Sequence, residues 1–261
     1  LRELPLPVGA ARTLRLARLP DPTLLAFTQW GPNDVSAYDL RGNRLWSYPK
    51  AMGVDDVWIG DLDGDLSDEV IVGYNGNSGV HVLNGNGQLR WKSTAIGNVW
   101  HVGVGDVLGR GRPQVVTTSA LGRVHVFATD ANERVDVLAP GIYLTMVRAA
   151  KLPGAAAATI FAAGSALETK VSTVVALAGD GTRLWRLQLP SAVVAADVAS
   201  TRPWLALATR DGQVFVVDSA KGDVVGVAEG QGRAEMAWIG DPPLLLVATG
   251  ESLNAFYVAA Q

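Results

Sequence analysis

The chain of 261 residues is 48% apolar and 18% charged, and its net charge of −3 comes from acids and bases mixed along the sequence. This pattern predicts no binding to nucleic acid, and no apolar run reaches the roughly 18 residues of a membrane-spanning helix. The absence of cysteine excludes disulfides and thiolate metal sites, while the apolar content allows one large core.

The first predicted element is a short segment, residues 2–6, which has no neighbouring strand in the sequence with which to pair. The chain starts at Leu1 and not at methionine, which predicts a processed protein or a fragment excised from a longer one. Beyond this segment, alternating apolar residues predict strands along the chain, and helical periodicity is nearly absent.

Five hairpins of common length follow. In each, the residue that opens the first strand and the residue that opens the second strand after the turn stand 11 positions apart. The pairs are Val35 and Trp46, Val80 and Trp91, Val124 and Val135, Val174 and Trp185, and Val214 and Val225. A truncated sixth copy begins at Leu253, and a further strand pair precedes the hairpins, as in residues 57–59 and 69–72.

A four-stranded unit that recurs six times predicts an all-β fold, a six-bladed β-propeller of four-stranded antiparallel blades. The prediction is a single domain, residues 1–261, whose last blade lacks a fourth strand. Residues 1–7 are predicted to supply that strand and so to close the ring. The predicted blades span approximately residues 12–49, 54–93, 96–138, 142–189, 192–228 and 233–261.

Three tryptophans share one position of the repeat, just after the hairpin turn: Trp46, Trp91 and Trp185. Aromatic residues that recur with a structural period are more often packed between sheets than used to bind a ligand. We therefore expect these rings to wedge between neighbouring blades.

The strongest chemical motif is the loop of residues 61–69, which carries carboxylates at its positions 1, 3, 5 and 9. Alternate residues of a tight turn converge, and an oxygen-only set without histidine or cysteine suits Ca²⁺ better than a transition metal. We predict one Ca²⁺ held by Asp61, Asp63, Asp65, the carbonyl of Ser67 and Glu69. The alternative is a solvated acidic turn without metal. Leu66 stands where a glycine is expected, which predicts either strain in the turn or a reduced affinity for the ion.

The sequence DLDGDLSDEVIVG resembles the FG-GAP and VCBS-type repeats of integrin-alpha-like β-propellers. The resemblance implies the same five ligands and a structural ion, on the face opposite the usual ligand site. The hairpins VSAYDLRGNRLW, VHVLNGNGQLRW and VVALAGDGTRLW are also similar to the blades of quinoprotein-type propellers. In the next copy Leu108 and Arg110 replace the required acids, so a single metal site is expected.

No catalytic set is recognisable, because His81 and His125 share one structural position of the repeat and no nucleophile motif is present. Candidate ligand-binding residues lie instead near the predicted connections from the last strand of one blade to the first strand of the next. They are Asp55, Asp56, Trp58, Asn98, Trp100, His101, Tyr143, Arg233 and Glu235. Aromatic rings beside amides and carboxylates can hold a sugar or a peptide. The alternative is that tryptophans such as Trp58 and Trp100 merely fill the central channel.

The sequence therefore predicts a non-catalytic, calcium-stabilised scaffold that binds a protein or a polysaccharide. The alternative is a carbohydrate-active enzyme, a glycosidase or lyase of propeller fold, with acids such as Asp56 and Glu235 on the channel rim. Because a calcium site of modest affinity fills only at extracellular calcium concentrations, we expect an extracytoplasmic location, either periplasmic, cell-surface or secreted, in a bacterium.

Overall fold

The structure is a computed structural model that describes residues 13–18, 22–27, 35–48, 53–120, 122–128, 134–138, 142–166, 171–229, 235–248 and 252–258. These residues form strands and one 3-10 turn, Gly76–Ser78, so the predicted all-β class is confirmed. No helix in them has the length and hydropathy needed to span a membrane. The predicted closing segment, residues 1–7, and Arg233 lie outside the described residues.

The strands fall into antiparallel sheets of consecutive strands, five with four strands and one with three in the described part of the chain. The first three sheets contain β1 Thr13–Arg18, β2 Pro22–Phe27, β3 Val35–Asp39, β4 Arg44–Tyr48; β5 Val54–Gly60, β6 Glu69–Tyr74, β7 Val80–Leu83, β8 Leu89–Ser93; β9 Val99–Gly105, β10 Gln114–Ser119, β11 Arg123–Phe127 and β12 Arg134–Leu138. The other three contain β13 Tyr143–Lys151, β14 Ala158–Ser165, β15 Ser172–Leu177, β16 Arg183–Leu189; β17 Val193–Val198, β18 Trp204–Thr209, β19 Gln213–Asp218, β20 Val224–Glu229; β21 Glu235–Ile239, β22 Leu244–Ala248 and β23 Leu253–Tyr257.

The predicted hairpins share one register. In four of them the pairing shifts by one residue at the same place, between the third and fourth residues counted from the opening valine. The shift falls after Ala37, Val82, Ala176 and Val216. A bulge at a fixed place bends each hairpin in the same way, so the repeat in sequence is a repeat in backbone geometry.

A second bulge recurs near the start of the first strand of four sheets. The pairing with the second strand skips one residue there, which leaves that residue without a cross-strand partner. The four skipped residues are Asp55, Trp100, Thr145 and Val194. Because bulges re-aim side chains, they are common beside functional sites.

The chain divides into two compact units, one made of Leu1–Gly105, Gly111–Ala120 and Val124–Val135, the other of the remaining residues. Each unit has its own cores of alternating inward side chains. In the first unit, one core gathers Val57, Val72 and Tyr74, and another gathers Leu62, Ile71 and Phe127. In the second unit the largest cores are built around Phe161, Trp185 and Leu205, and around Leu245 and Val247.

Two of the repeated tryptophans lock one hairpin to the next. The Trp46 indole N–H donates to the carbonyl of Gly85 at 2.9 Å, and the ring covers Gly87, whose Cβ would lie 2.6 Å from it. Trp185 repeats the arrangement, donating to Ser219 at 2.9 Å and covering Gly222. The prediction of a packing role is confirmed for both rings, since only glycine leaves room beneath the indole.

Candidate functional site

The acidic loop, defined as residues 61–69, joins β5 to β6, and its first residue organises the turn. Asp61 accepts the N–H of Gly64 through Oδ1 at 2.6 Å and the N–H of Leu66 through Oδ2 at 2.9 Å. Bonds from one carboxylate to two later backbone N–H groups wrap the loop around that side chain. The backbone therefore presents the following acids to the same side.

The three aspartates of the acidic loop converge. Each of Asp61, Asp63 and Asp65 offers a carboxylate oxygen, and these oxygens lie within 4.8 Å of one another. Asp63 also accepts the N–H of Asp65 at 3.3 Å, and Asp65 accepts that of Ser67 at 2.8 Å. A cluster of oxygens from hard carboxylates is the donor set that Ca²⁺ takes, so these residues fit the predicted ion.

Glu69 closes the loop from inside. Its side chain is buried, with 3% exposure, and Oε2 accepts the N–H of Leu62 at 2.8 Å. Burial raises the pKa of the Glu69 carboxyl above its ordinary value, against the smaller effect of the bond from Leu62. Glu69, a predicted calcium ligand, thus connects the end of the loop to the backbone of the fully buried Leu62.

Arg90, which sequence reasoning missed, brings a positive charge to the acidic loop. From β8, its Nη1 lies 2.6 Å from Asp63 Oδ2 and 3.4 Å from Glu69 Oε1. The Arg90 side chain bonded to Asp63 holds the pKa of that carboxyl below its ordinary value. The signal was available, because the equivalent positions before Trp46 and Trp185 hold leucine.

Two residues of the acidic loop have left-handed backbones. Gly64 has φ +86°, and Leu66 has φ +71°. The predicted strain at Leu66 is confirmed, because a left-handed conformation brings the Cβ of an L-residue against its own backbone. Its side chain is 79% exposed, so no packing compensates for that conformation.

Among the candidate binding residues, the structure brings Asp56 and His101 together. Asp56 Oδ2 accepts the N–H of Val102 at 3.1 Å, and His101 Nδ1 lies 3.9 Å from the same oxygen. Asp56 Oδ1 accepts the N–H of Val57 at 2.9 Å. Both carboxylate oxygens therefore hold backbone groups of β5 and β9.

The other candidate residues are dispersed. Trp58 is half-buried and packs against the core around Leu62 and Ile71. Trp100 is partly exposed at a bulge, and Tyr143 is 38% exposed on β13 in the second unit. Glu235 opens β21, but its side chain is outside the described part of the chain.

Asn98 has a structural role. Its N–H donates to the carbonyl of Gly76 at 2.7 Å, and its Oδ1 accepts the Gly76 N–H at 2.8 Å. Asn98 adopts φ +50°, which asparagine tolerates better than most residues. These two hydrogen bonds connect the turn after β6 to the start of β9.

Comparison with a protein-family model gives a partial match. Residues 33–125 match the lambda-carrageenase beta-propeller domain, which is less than half of the chain. The matched range contains the acidic loop and the first two Trp-bearing hairpins. A comparison with curated protein sequences found no match.

Several solved structures share the fold over nearly the whole chain. A crystal structure of BBS1N in complex with ARL6DN, soaked with lead, has a TM-score of 0.70 and 14% identity, covering 97% of this chain and 79% of that one. A mercury-soaked crystal of the same complex has a TM-score of 0.70 and 13% identity, and the match covers 95% of this chain and 77% of that one. The computationally designed Ika8 protein has a TM-score of 0.64 and 15% identity, and the match covers 94% of this chain and 70% of that one. Together with the family match, these likenesses support a β-propeller fold.

Proposed function

We propose that this protein is a non-catalytic binding scaffold of β-propeller fold whose second sheet is stabilised by one Ca²⁺ in the acidic loop, a loop of FG-GAP and VCBS type. The observation that carries the proposal is the convergence of Asp61, Asp63 and Asp65 within 4.8 Å. Asp61, Asp63, Asp65, the Ser67 carbonyl and Glu69 would hold the ion, which supplies positive charge to an otherwise repulsive cluster.

The arrangement of the rim favours a scaffold over an enzyme. A general acid or base needs a carboxyl group free to exchange a proton with substrate. Asp56 instead uses both oxygens to accept backbone N–H groups, at 2.9 and 3.1 Å. Trp58 is half-buried against the core around Leu62 and Ile71. The residues that we propose for a protein or polysaccharide partner are Trp100 and His101 in the first unit and, separately, the exposed Tyr143 in the second.

Calcium binding is tested by isothermal titration with CaCl₂ on chelator-stripped protein, alongside thermal unfolding with and without chelator. We expect one ion per chain and a midpoint that falls when chelator is added, since a ligand of the native state alone stabilises that state. Mg²⁺ serves as the matched competitor, because it demands a smaller octahedral site. A flat titration and an unchanged midpoint would contradict the calcium site.

We further propose that residues 1–7 add a fourth strand to the sheet of β21–β23, giving six four-stranded blades. The support is that β23 has no outer partner among the described residues, and that Leu253 and Tyr257 on it are 67% and 75% exposed. Deletion of residues 1–7 should lower the unfolding midpoint of the whole protein. An unchanged midpoint would mean that this segment closes nothing.

A carbohydrate-active role is the second candidate, favoured by the match of residues 33–125 to a carrageenase propeller domain. A scaffold would bind the polysaccharide and leave it intact, whereas an enzyme would release shorter chains. Incubation with λ-carrageenan, followed by reducing-end assay and by affinity electrophoresis, separates retention without cleavage from hydrolysis. Dextran is the control polysaccharide. New reducing ends that disappear in Asp56→Asn would favour the enzyme.

An extracytoplasmic location, periplasmic, cell-surface or secreted and in a bacterium, follows from the proposed ion, because extracellular calcium is millimolar and fills weak sites. The titration also tests this inference. A dissociation constant near or below cytosolic calcium levels would remove the reason for it.

A further inference from the structure

Asp55 was a candidate binding residue in the sequence, but the structure buries its side chain, so it is not available to a ligand. Its side chain is 2% exposed, and neither of its two buried carboxyl oxygens makes a hydrogen bond. An ionised carboxylate left without donors inside a protein is strongly unfavourable. A protonated one is a hydroxyl donor and needs only an acceptor.

The repeat identifies the acceptors. Asp55 is the residue skipped at the bulge of β5, and Thr145 is the skipped residue of β13. The Thr145 hydroxyl lies 3.3 Å from the carbonyl oxygens of Ala163, opposite on the same sheet, and of Val193, on the first strand of the next sheet. By register, the residues that correspond to Ala163 and Val193 are Gly73 and Val99.

Gly73 and the Val99 carbonyl lie close together next to the bulge. A Cβ built on Gly73 would lie 2.7 Å from the Val99 carbonyl oxygen. Gly73 pairs with Asp56, the residue after the bulge. By the repeat, the carbonyl oxygens of Gly73 and Val99 are therefore expected to face the Asp55 carboxyl group, a setting that suits a donor and disfavours a negative charge.

We infer that Asp55 serves as a neutral carboxylic acid that donates its proton to the β5–β9 junction, in the place where Thr145 uses a hydroxyl, and that its ionisation loosens this junction. The junction is the one that Asp56 spans by accepting the Val102 N–H at 3.1 Å. The device would make the cohesion of the second and third sheets depend on pH.

The electrostatic surroundings agree with this inference. Burial raises the pKa of Asp55 to about 7, the Asp56 charge adds to the rise, and the Asn75 side chain opposes it without reaching hydrogen-bond geometry with either oxygen. The titratable groups on β5, β6, β7 and β9 besides Asp55 are Asp56 on β5, Glu69 and Tyr74 on β6, His81 on β7 and His101 on β9. Of these, Asp56 raises the pKa of Asp55, because its negative charge disfavours a second ionised carboxylate nearby.

The sign of the pH effect follows from linkage. Below about pH 4, Asp55 is protonated in both the folded and the unfolded chain. Between about pH 4 and 7 the folded chain keeps the proton that the unfolded chain has lost. Stability from this residue is therefore complete at low pH and is lost as the pH rises to about 7, above which it is constant.

The test compares thermal unfolding between pH 5 and 8 for the native protein, Asp55→Thr and Asp55→Val. Threonine and valine have the same shape, and they stand at the equivalent bulge positions 145 and 194. We expect Asp55→Thr to match the native unfolding midpoint at pH 5. Its midpoint should not fall between pH 5 and 7 in the way that ionisation of Asp55 lowers the native one. Asp55→Val should melt several degrees lower at pH 5. Equal midpoints for the threonine and valine variants would overturn the donor role.

A second measurement uses the unaltered protein. Carboxyl ¹³C NMR of aspartate-labelled protein, with Asp55 assigned by Asp55→Asn, should show one carboxyl titrating near neutral pH. A midpoint close to the ordinary aspartate value of about 4 would overturn the inference.

Discussion

The acidic loop has a counterpart in the next sheet, residues 106–114, called here the second loop. Both loops join the first strand of a sheet to its second strand. Both open with an aspartate that accepts a loop N–H: Asp61 accepts those of Gly64 and Leu66, and Asp106 accepts that of Arg110 at 2.8 Å. Both end on a buried polar residue, Glu69 or Gln114.

The two loops differ at their third and fifth positions. The acidic loop has Asp63 and Asp65 there, and the second loop has Leu108 and Arg110. The second loop forms its turn without those carboxylates, so the turn itself does not require them. The proposed Ca²⁺ would account for two acids that the turn does not require and that repel each other.

The largest expected effect comes from removing one inner acid. Asp63→Ala should abolish calcium binding and the chelator sensitivity of the unfolding midpoint. At a calcium concentration 100 times the dissociation constant, the lost stabilisation is about 2.7 kcal/mol. Thermal unfolding with and without chelator measures it.

The control for this variant is Asp180→Ala, which removes an exposed turn carboxylate that accepts the Thr182 N–H at 2.8 Å. It should melt lower by a similar amount with and without chelator. If Asp63→Ala keeps its chelator response, then Asp63 is no ligand, and the difference between the loops needs another explanation.

Arg90 adds a second difference between the two loops. Its positive charge neutralises part of the negative charge of Asp63 and Glu69, so it competes with a cation for the same carboxylates. Arg90→Leu restores the residue found before Trp46 and Trp185. It should tighten calcium binding by about tenfold, or about 1.4 kcal/mol, since a competing positive charge near the site is removed. It should also lower stability in chelator, because the buried Glu69 loses its positively charged partner and keeps only the bond from the Leu62 N–H.

Calorimetric titration measures the change in affinity, and Arg44→Leu, on the exposed surface of β4, is the matched control that should leave it unaltered. Weaker calcium binding in Arg90→Leu would show that the arginine supports the loop geometry more than it competes.

Much of this comparison could be predicted from the sequence. The fixed spacing from Val80 to Trp91 gives the hairpin, and alternate acids from Asp61 onward give the converging cluster, because both patterns are local. Arg90 and Asp55 could not be predicted in the same way. Arg90 reaches Asp63 across two strands, and the burial of Asp55 depends on a bulge that interrupts the alternation on which sequence reasoning relies.

The smallest expected effect concerns the sixth position of each loop, where Leu66 and Gly111 have φ +71° and +77°. Leu66→Gly should stabilise the protein by up to about 1 kcal/mol, because relief of left-handed strain exceeds the entropy cost of glycine. Gly111→Leu should destabilise it by about 1 kcal/mol through strain alone, since a Cβ there meets nothing within 4 Å. Denaturant unfolding measures both, and the calcium response should be unaltered in each. A loss of stability in Leu66→Gly would mean that the exposed leucine holds the acidic loop in a way that the second loop does not need.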